Sequence, residues 1–370
     1  MEPLAPGKTL GILGGGQLGR LIAEAAATLG YRTAALDASA KSPALQIVDI
    51  PIIGAVDNPL AAMELAEASN LLTLEWELIP VKVLETVAKA RPLYPAPTVL
   101  AIIQDRLTQK KFLAKHGFPQ TSYGEATTAA GWKYPVIIKR RTQGYDGKGQ
   151  CRLERESDMP KAAEVLKAPC VWEKKVDFKA EISVILARGR DGKIAVYPVA
   201  ENVHRDGVLL ATLAPARIAK DVDAKAIELA KKTAEALGHV GVMAVEMFLL
   251  HDDSLLVNEI APRVHNSGHY TLGGCAVSQF EQHVRAVCGL SLGETRLLEG
   301  RAAMVNLLGD LWTNGEPKWA VLKDIPGATL HLYGKSDARP GRKMGHYTIV
   351  GAAAETEFDR ADTRLQELRG

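Results

Sequence analysis

Nowhere in the 370 residues does an apolar run reach the ~18 residues that a membrane-spanning helix needs. The opening MEPLAPGKTL also lacks the apolar stretch of a secretory signal. The charges nearly cancel, 45 Lys and Arg against 43 Asp and Glu. The chain therefore carries no overall field for nucleic acid or a membrane surface, and any basic function must be local. Four cysteines, Cys151, Cys170, Cys275 and Cys288, form no C-x-x-C and no metal spacing with the nine histidines. Reduced thiols and a cytoplasmic location are expected. Internal repeats and low-complexity linkers are missing, and so is the G-K-[ST] ending of a Walker A loop. What remains is ordinary globular composition, 47% hydrophobic and 24% charged, in a length that calls for two or three compact units.

The first hundred residues alternate strands, at 9–14, 32–37, 49–55 and 71–77, with helices at 17–29, 58–68 and 81–90. Asn58 is the expected cap of the second helix, with Pro59 in its first turn. Such alternation predicts a parallel sheet with helices on both faces. One helix is expected over 98–116, closed by Gly117. Beyond it, segments such as VIIKRR, QCRL, CVWEKKV, EISVILARG and AENVH are rich in β-branched residues and predict antiparallel sheet. A helix follows at 221–237. GVMAVEMFLL and LLVNEIAPR then read as a hairpin about HDDS, and 278–287 as a further helix.

Five stretches carry candidate chemistry. LGILGGGQLGR holds Gly14, Gly16 and Gly19, with Asp37 eighteen residues further on. Alone, it reads as a dinucleotide fingerprint. IIKRRTQGYDGKGQ places Gly144, Gly147 and Gly149 between two strands, beside Lys139, Arg140, Arg141 and Lys148. Backbone N–H groups there can wrap phosphate oxygens, unless the stretch is a solvated hairpin. Glu246, Asn258 and Glu259 lie on adjacent apolar strands, where unpaired carboxylates are costly. They suit Mg²⁺, or they pair with Arg263 or Lys139. In PRVHNSGH, Arg263 could clamp an anion and His265 could move a proton or hold an oxyanion. The bland alternative is a polar turn at Asn266, Ser267 and Gly268. Lys335, Arg342 and Lys343 could converge on a phosphate or simply be solvated.

In order, GGGQLGR, QDRLTQKKFL, KRRTQGYDGKGQ, NEIAPRVHNSGH and RPGRKMGH resemble the 5-(carboxyamino)imidazole ribonucleotide synthases. These are ATP-grasp ligases of purine biosynthesis, and the likeness runs from about Gly11 to His346. It implies a mixed α/β and α+β fold in three parts. These are a Rossmann-like pre-ATP-grasp domain over 1–105, a lid over 106–177, and an antiparallel ATP-grasp domain over 178–370. It implies the substrates aminoimidazole ribonucleotide, bicarbonate and ATP, carboxyphosphate as intermediate, and two magnesium ions, with manganese able to substitute. A homodimer is expected.

On this resemblance Arg106 and Lys139 contact ATP phosphates, under a lid of Gly144, Tyr145, Asp146, Gly147, Lys148, Gly149 and Gln150. Glu173, Lys174, Lys175 and Val176 form the edge segment that recognises adenine, and Glu181 accepts from the ribose. His204 contacts ATP. Glu246 and Glu259 hold the metal, with Asn258 beside them. Arg263 and His265, helped by Tyr145 and Lys148, stabilise carboxyphosphate. Asn266 and Ser267 lie on the substrate side, and Lys335, Arg342 and Lys343 grip the substrate phosphate. Gln17, Leu18 and Glu75 face the aminoimidazole ribonucleotide, which leaves Asp37 an ordinary strand-end acid. Two departures stand out. The lid reads TQGYDGKGQ where TGGYDGRGQ is expected, so Lys148 keeps charge but loses a guanidinium fork. MEPLAPGK matches nothing in the family and is expected to be disordered. The alternatives are a sister ligase using formate with glycinamide ribonucleotide or biotin with bicarbonate, a dinucleotide-dependent oxidoreductase, and a non-catalytic nucleotide-binding module.

Overall fold

The computed structural model describes residues 2–127, 132–144 and 147–369. Three sheets organise them. The first is parallel, from β1 (Thr9–Leu13), β2 (Arg32–Asp37), β3 (Ile50–Ile53) and β4 (Leu71–Leu74), in the order β3-β2-β1-β4. Helices α1 (Gln17–Thr28), α2 (Pro59–Ala68) and α3 (Val81–Ala90) connect it. As expected, Asn58 caps α2, its side chain accepting from Leu60 N at 2.9 Å. The fourth strand stops at Leu74, so Glu75 and Glu77 stand in the loop at its carboxyl end.

The helix expected over 98–116 is two helices, α4 (Pro97–Ile103) and α5 (Arg106–Lys115). Asp105 breaks the run, because its carboxylate accepts from Thr108 N at 3.0 Å and so caps a new helix. Arg106 thereby becomes the first residue of α5.

A small antiparallel sheet follows: β5 (Tyr123–Glu125), β6 (Val136–Arg140), β7 (Gln150–Leu153) and β8 (Cys170–Lys174), ordered β5-β8-β6-β7. The third sheet has nine strands. They are β9 (Ala180–Arg188), β10 (Ile194–Val196), β11 (Ala200–Arg205), β12 (Val208–Ala214), β13 (Gly241–Leu249), β14 (Leu255–Ala261), β15 (Ala302–Leu308), β16 (Ala328–Leu332) and β17 (Lys343–Val350). Its order is β14-β13-β9-β11-β12-β15-β17-β16, with β10 on β9. Helix α6 (Lys220–Leu237) covers one face.

The parallel and nine-stranded sheets share their core. Leu13, Leu36 and Leu72 cluster with Ile182, Val184, Met243 and Val257, and with Val222 and Ala226 of α6. Buried His283 ties the two sheets: Val242 N donates to its Nδ1 at 3.0 Å, and its Nε2 meets the Thr73 hydroxyl at 2.7 Å. The amino-terminal stretch is placed rather than disordered. Leu4 N donates to Cys288 O at 2.8 Å, and Tyr31 donates to Leu4 O at 2.7 Å. Among the described residues no helix is long and apolar enough to cross a membrane.

Candidate active site

The first glycine loop leads from β1 into α1, whose N-terminal N–H groups form a natural anion site. That site is filled from within. Gly16 N donates to Glu75 Oε1 and Gly19 N to Glu75 Oε2, each at 2.9 Å. Gly15 N donates to Asp37 Oδ2 at 3.1 Å. The glycines are required for this approach: Gly14 has φ +104°, and a Cβ there would sit 2.5 Å from the Glu75 side chain. A pyrophosphate would meet two carboxylates and find these donors taken, which removes the dinucleotide reading. It also corrects the role of Asp37, which holds the loop rather than merely ending a strand. Burial pushes the Glu75 carboxyl above its ordinary value, although the Gly19 and Gly16 N–H groups pull the other way.

Glu75, Gln17 and Leu18 line a cavity of about 300 Å³. Arg106, Glu259, His265, Asn266 and Lys343 form its far wall. The same five residues line a second cavity of about 270 Å³, reached from the small sheet and the glycine lid. Two chambers therefore meet at one set of polar side chains.

The second chamber is built on one face of the nine-stranded sheet. Glu246 of β13 stands directly opposite Glu259 of β14, next to a register shift in the ladder. Burial and the neighbouring Glu259 push the Glu246 carboxyl up. Burial alone would also raise Glu259, but Arg106 outweighs it and holds that carboxyl well below the usual range. Arg106 Nη1 donates to Glu259 Oε2 at 2.9 Å and Nη2 to Gly144 O at 3.2 Å, so it spans the carboxylate pair and the lid. Asn258 Oδ1 is buried with no hydrogen-bond partner. Two carboxylates and an orphaned amide oxygen, all hard donors, fit an oxygen-seeking divalent cation.

Lys139, Gly147, Gln150, Glu181 and His204 also line this chamber, floored by Phe178 and Phe248 stacked at 4.7 Å. His204 Nδ1 lies 2.5 Å from Glu181 Oε2. Burial would lower His204, but the Glu181 hydrogen bond and the Glu246 charge raise it above its ordinary value. Tyr145 and Asp146 lie outside the described residues. Lys148 is exposed and lines neither cavity. The expectation for residues 173–176 needs correction. Strand β8 is interior to its sheet, and Glu173 is buried, its Oε2 3.0 Å from Lys139 Nζ and 3.5 Å from Lys110 Nζ. Lys174 and Lys175 N–H groups are spent on Ser122 and Pro135 carbonyls. Glu173 thus holds lysines, and no edge is presented until the strand has ended.

At the junction, Arg263 gives its Nε and Nη2 to the two oxygens of Glu77, the latter bond 2.7 Å long. Its fork is occupied by a carboxylate of the loop after β4, a partner the sequence reading missed. His265 Nε2 lies 3.4 Å from Glu246 Oε1. Burial, reinforced by the Arg263 charge, holds this ring far below its ordinary value, hence neutral. Both amide atoms of Asn266 are buried without partners in the wall of both chambers. Ser267 is fully buried, and its hydroxyl bonds His265 and Ser183, so it is not a substrate contact here. Of the basic trio, only Lys343 reaches the chambers. Lys335 donates to Lys343 O at 2.7 Å and Arg342 to Asp337 O at 2.7 Å, and neither lines either chamber.

Comparison with known proteins follows this layout. Residues 7–104 match the ribonucleotide synthetase preATP-grasp domain, 111–280 the ATP-grasp domain and 302–357 the phosphoribosylaminoimidazole carboxylase C-terminal domain. The chain is 45% identical to the N5-carboxyaminoimidazole ribonucleotide synthase of Brucella melitensis, over 94% of this chain and 97% of that one. It superposes on the carboxyaminoimidazole ribonucleotide synthase of Aspergillus clavatus complexed with ATP, with a TM-score of 0.90, 36% identity and coverage of 98% and 99%. A second Aspergillus clavatus structure, in complex with ADP and 5-aminoimidazole ribonucleotide, gives 0.88, 35% and 98% of both chains. The sequence motifs, the three sheets and these relatives agree, and the chain belongs to the N5-carboxyaminoimidazole ribonucleotide synthase family of ATP-grasp ligases.

Proposed function

We propose that this chain carries out the family reaction, the ATP-dependent carboxylation of 5-aminoimidazole ribonucleotide with bicarbonate in purine biosynthesis. The observation that carries it is the meeting of two chambers at one polar wall of Arg106, Glu259, His265, Asn266 and Lys343. A reaction that activates bicarbonate with a nucleotide and then delivers it to an amine needs that plan. The relative bound to ADP and aminoimidazole ribonucleotide supports both ligand classes.

In the second chamber Arg106 and Lys139 receive the phosphates, beneath the backbone of the lid. Glu246, Glu259 and Asn258 would hold magnesium, which when bound would neutralise charge on the transferred phosphoryl group. A bicarbonate oxygen attacks the γ-phosphorus, the bond to the β,γ-bridging oxygen breaks, and ADP leaves. The exocyclic amine in the first chamber then attacks the carboxyl carbon, directly or as CO₂ released from carboxyphosphate. The nitrogen loses a proton and phosphate departs. Arg263 and His265 stand where this intermediate must pass, with Asn266 offering two unspent hydrogen-bonding atoms. Closing the lid keeps water from an intermediate that water destroys. Lys343 carries the phosphate grip, with Gln17 and Leu18 on the opposite wall of the first chamber. The three-part division at 105/106 and 177/178, a homodimer and a cytoplasmic location belong to the same reading.

The test is ADP release with magnesium, adding bicarbonate and aminoimidazole ribonucleotide separately and together. Turnover should require both. Stimulation by formate with glycinamide ribonucleotide, or by biotin, would move the chain to a sister activity.

A further inference from the structure

Behind His265, away from both chambers, runs a chain of buried hydroxyl and amide groups for which the reaction above has no use. Thr212 of β12 donates to Asn202 Oδ1, Asn202 of β11 donates from Nδ2 to Ser183 Oγ, and Ser183 of β9 donates to Ser267 Oγ, each at 2.9 Å. Ser267 Oγ lies 2.9 Å from His265 Nδ1. Ser183, Thr212 and Ser267 are fully buried, and Asn202 is nearly so. Polar groups in a sheet interior carry a desolvation cost, so a fully bonded run of four calls for a reason.

Direction supplies one. A hydroxyl has a single proton. With Asn202 donating into Ser183, the Ser183 proton must go to Ser267, and the Ser267 proton to Nδ1. The Ser267 backbone N–H, 3.3 Å from Nδ1, points the same way. Every donor in the chain thus presses on one ring nitrogen and makes it an acceptor. A ring whose Nδ1 accepts carries its proton on Nε2, the nitrogen that faces the Glu246 edge of the junction.

We propose that Ser183, Asn202 and Thr212 are positioning residues that lock His265 in the Nε2–H tautomer, so that it serves as a hydrogen-bond donor to the carboxyl oxygens at the junction and not as a base. This rests on the function proposed above for the chemistry at Nε2, but the state of the ring is measurable without turnover. Thr212 is the decisive position, being the far end of the chain and lining neither chamber. Thr212→Val keeps its shape and removes the donor.

The experiment records proton–nitrogen correlation spectra of ¹⁵N-histidine protein, with the His265 signals assigned from the His265→Asn variant, alongside steady-state kinetics. The wild type should show protonated Nε2 and bare Nδ1. Thr212→Val should mix the tautomers and lower kcat about tenfold, with the Michaelis constants for ATP and bicarbonate unchanged. Thr212→Ser, which restores the hydroxyl, should match the wild type in both. Ser183→Ala should show the same defect as Thr212→Val. If Thr212→Val and Ser183→Ala keep the wild-type spectrum and kcat, or if Thr212→Ser is as impaired as Thr212→Val, the chain is strand filling and the proposal fails. A wild type without acceptor-dependent turnover would overturn the function, while the spectra would still decide the role of the chain.

Discussion

Two glycine-rich loops follow strands in this molecule, and they face opposite company. The loop at Gly14, Gly16 and Gly19 is met by Asp37 and Glu75 from neighbouring strand ends, and its N–H groups are spent on these carboxylates. In the second loop Gly144 is met by Arg106, and Gly147 and Gln150 line a chamber together with Lys139. Glycines announce that the backbone will approach something closely. Whether that something is a ligand or the protein's own acid depends on the charges of the surrounding elements. At the first loop it is the protein's own acids, and at the second it is basic side chains in the wall of a chamber.

The largest test of this contrast lies beside the second loop, at the carboxylate that Arg106 holds. Glu259→Gln takes one charge from the proposed metal pair and leaves Arg106 without its counterion. Turnover should fall on the order of a hundredfold or more, while the variant still unfolds in one cooperative transition. Normal turnover would remove Glu259 from the site. Next in size is Lys343→Ala. Because Lys343 lines both chambers, the acceptor's Michaelis constant should rise about tenfold and that for ATP by a smaller factor. An unchanged acceptor constant would count against the phosphate grip. Smaller again is Glu75→Gln at the structural loop. It should raise the acceptor constant a few-fold, leave that for ATP alone, and create no NAD binding by calorimetry. Measurable NAD affinity in this variant would show that only Glu75 masks a dinucleotide site.

Much of this was legible in the sequence because it is periodic or local. The βα alternation predicted the parallel sheet, and the hairpin about HDDS put Glu246 and Glu259 on adjacent strands. What escaped depends on neighbours far along the chain. Glu77 finds Arg263 across 186 residues, and nothing in WEL signals that pairing. The break at Asp105 was missed because the residues either side of it are good helix formers. Its capping geometry is what puts Arg106 against Glu259. Ser183, Asn202 and Thr212 left a faint signal. Thr212 is the lone polar residue of β12, and Ser183 follows Glu181 at the two-residue spacing of one sheet face. Strand register would have been needed to see that they adjoin. The basic trio divides for the converse reason, since proximity in sequence does not bring Lys335 and Arg342 to the chamber walls that Lys343 lines.

The smallest effect separates the loops by pH. Burial raises the Glu75 carboxyl above the ordinary 4.5, whereas Arg106 holds Glu259 below it. For Glu75 the folded protein binds the proton more tightly than the unfolded chain. The stability tied to that proton is fully present below pH 4.5 and is lost as pH rises through the folded value. Glu259 has the opposite sign: its contribution is present above the ordinary value and is lost as pH falls. Denaturant unfolding of the wild type and of Glu75→Gln should therefore diverge just above pH 4.5. The variant lacks a downward slope of at most about 1.4 kcal/mol per pH unit that the wild type shows. Parallel curves would mean that the Gly16 and Gly19 N–H bonds to the Glu75 carboxylate offset its burial in full.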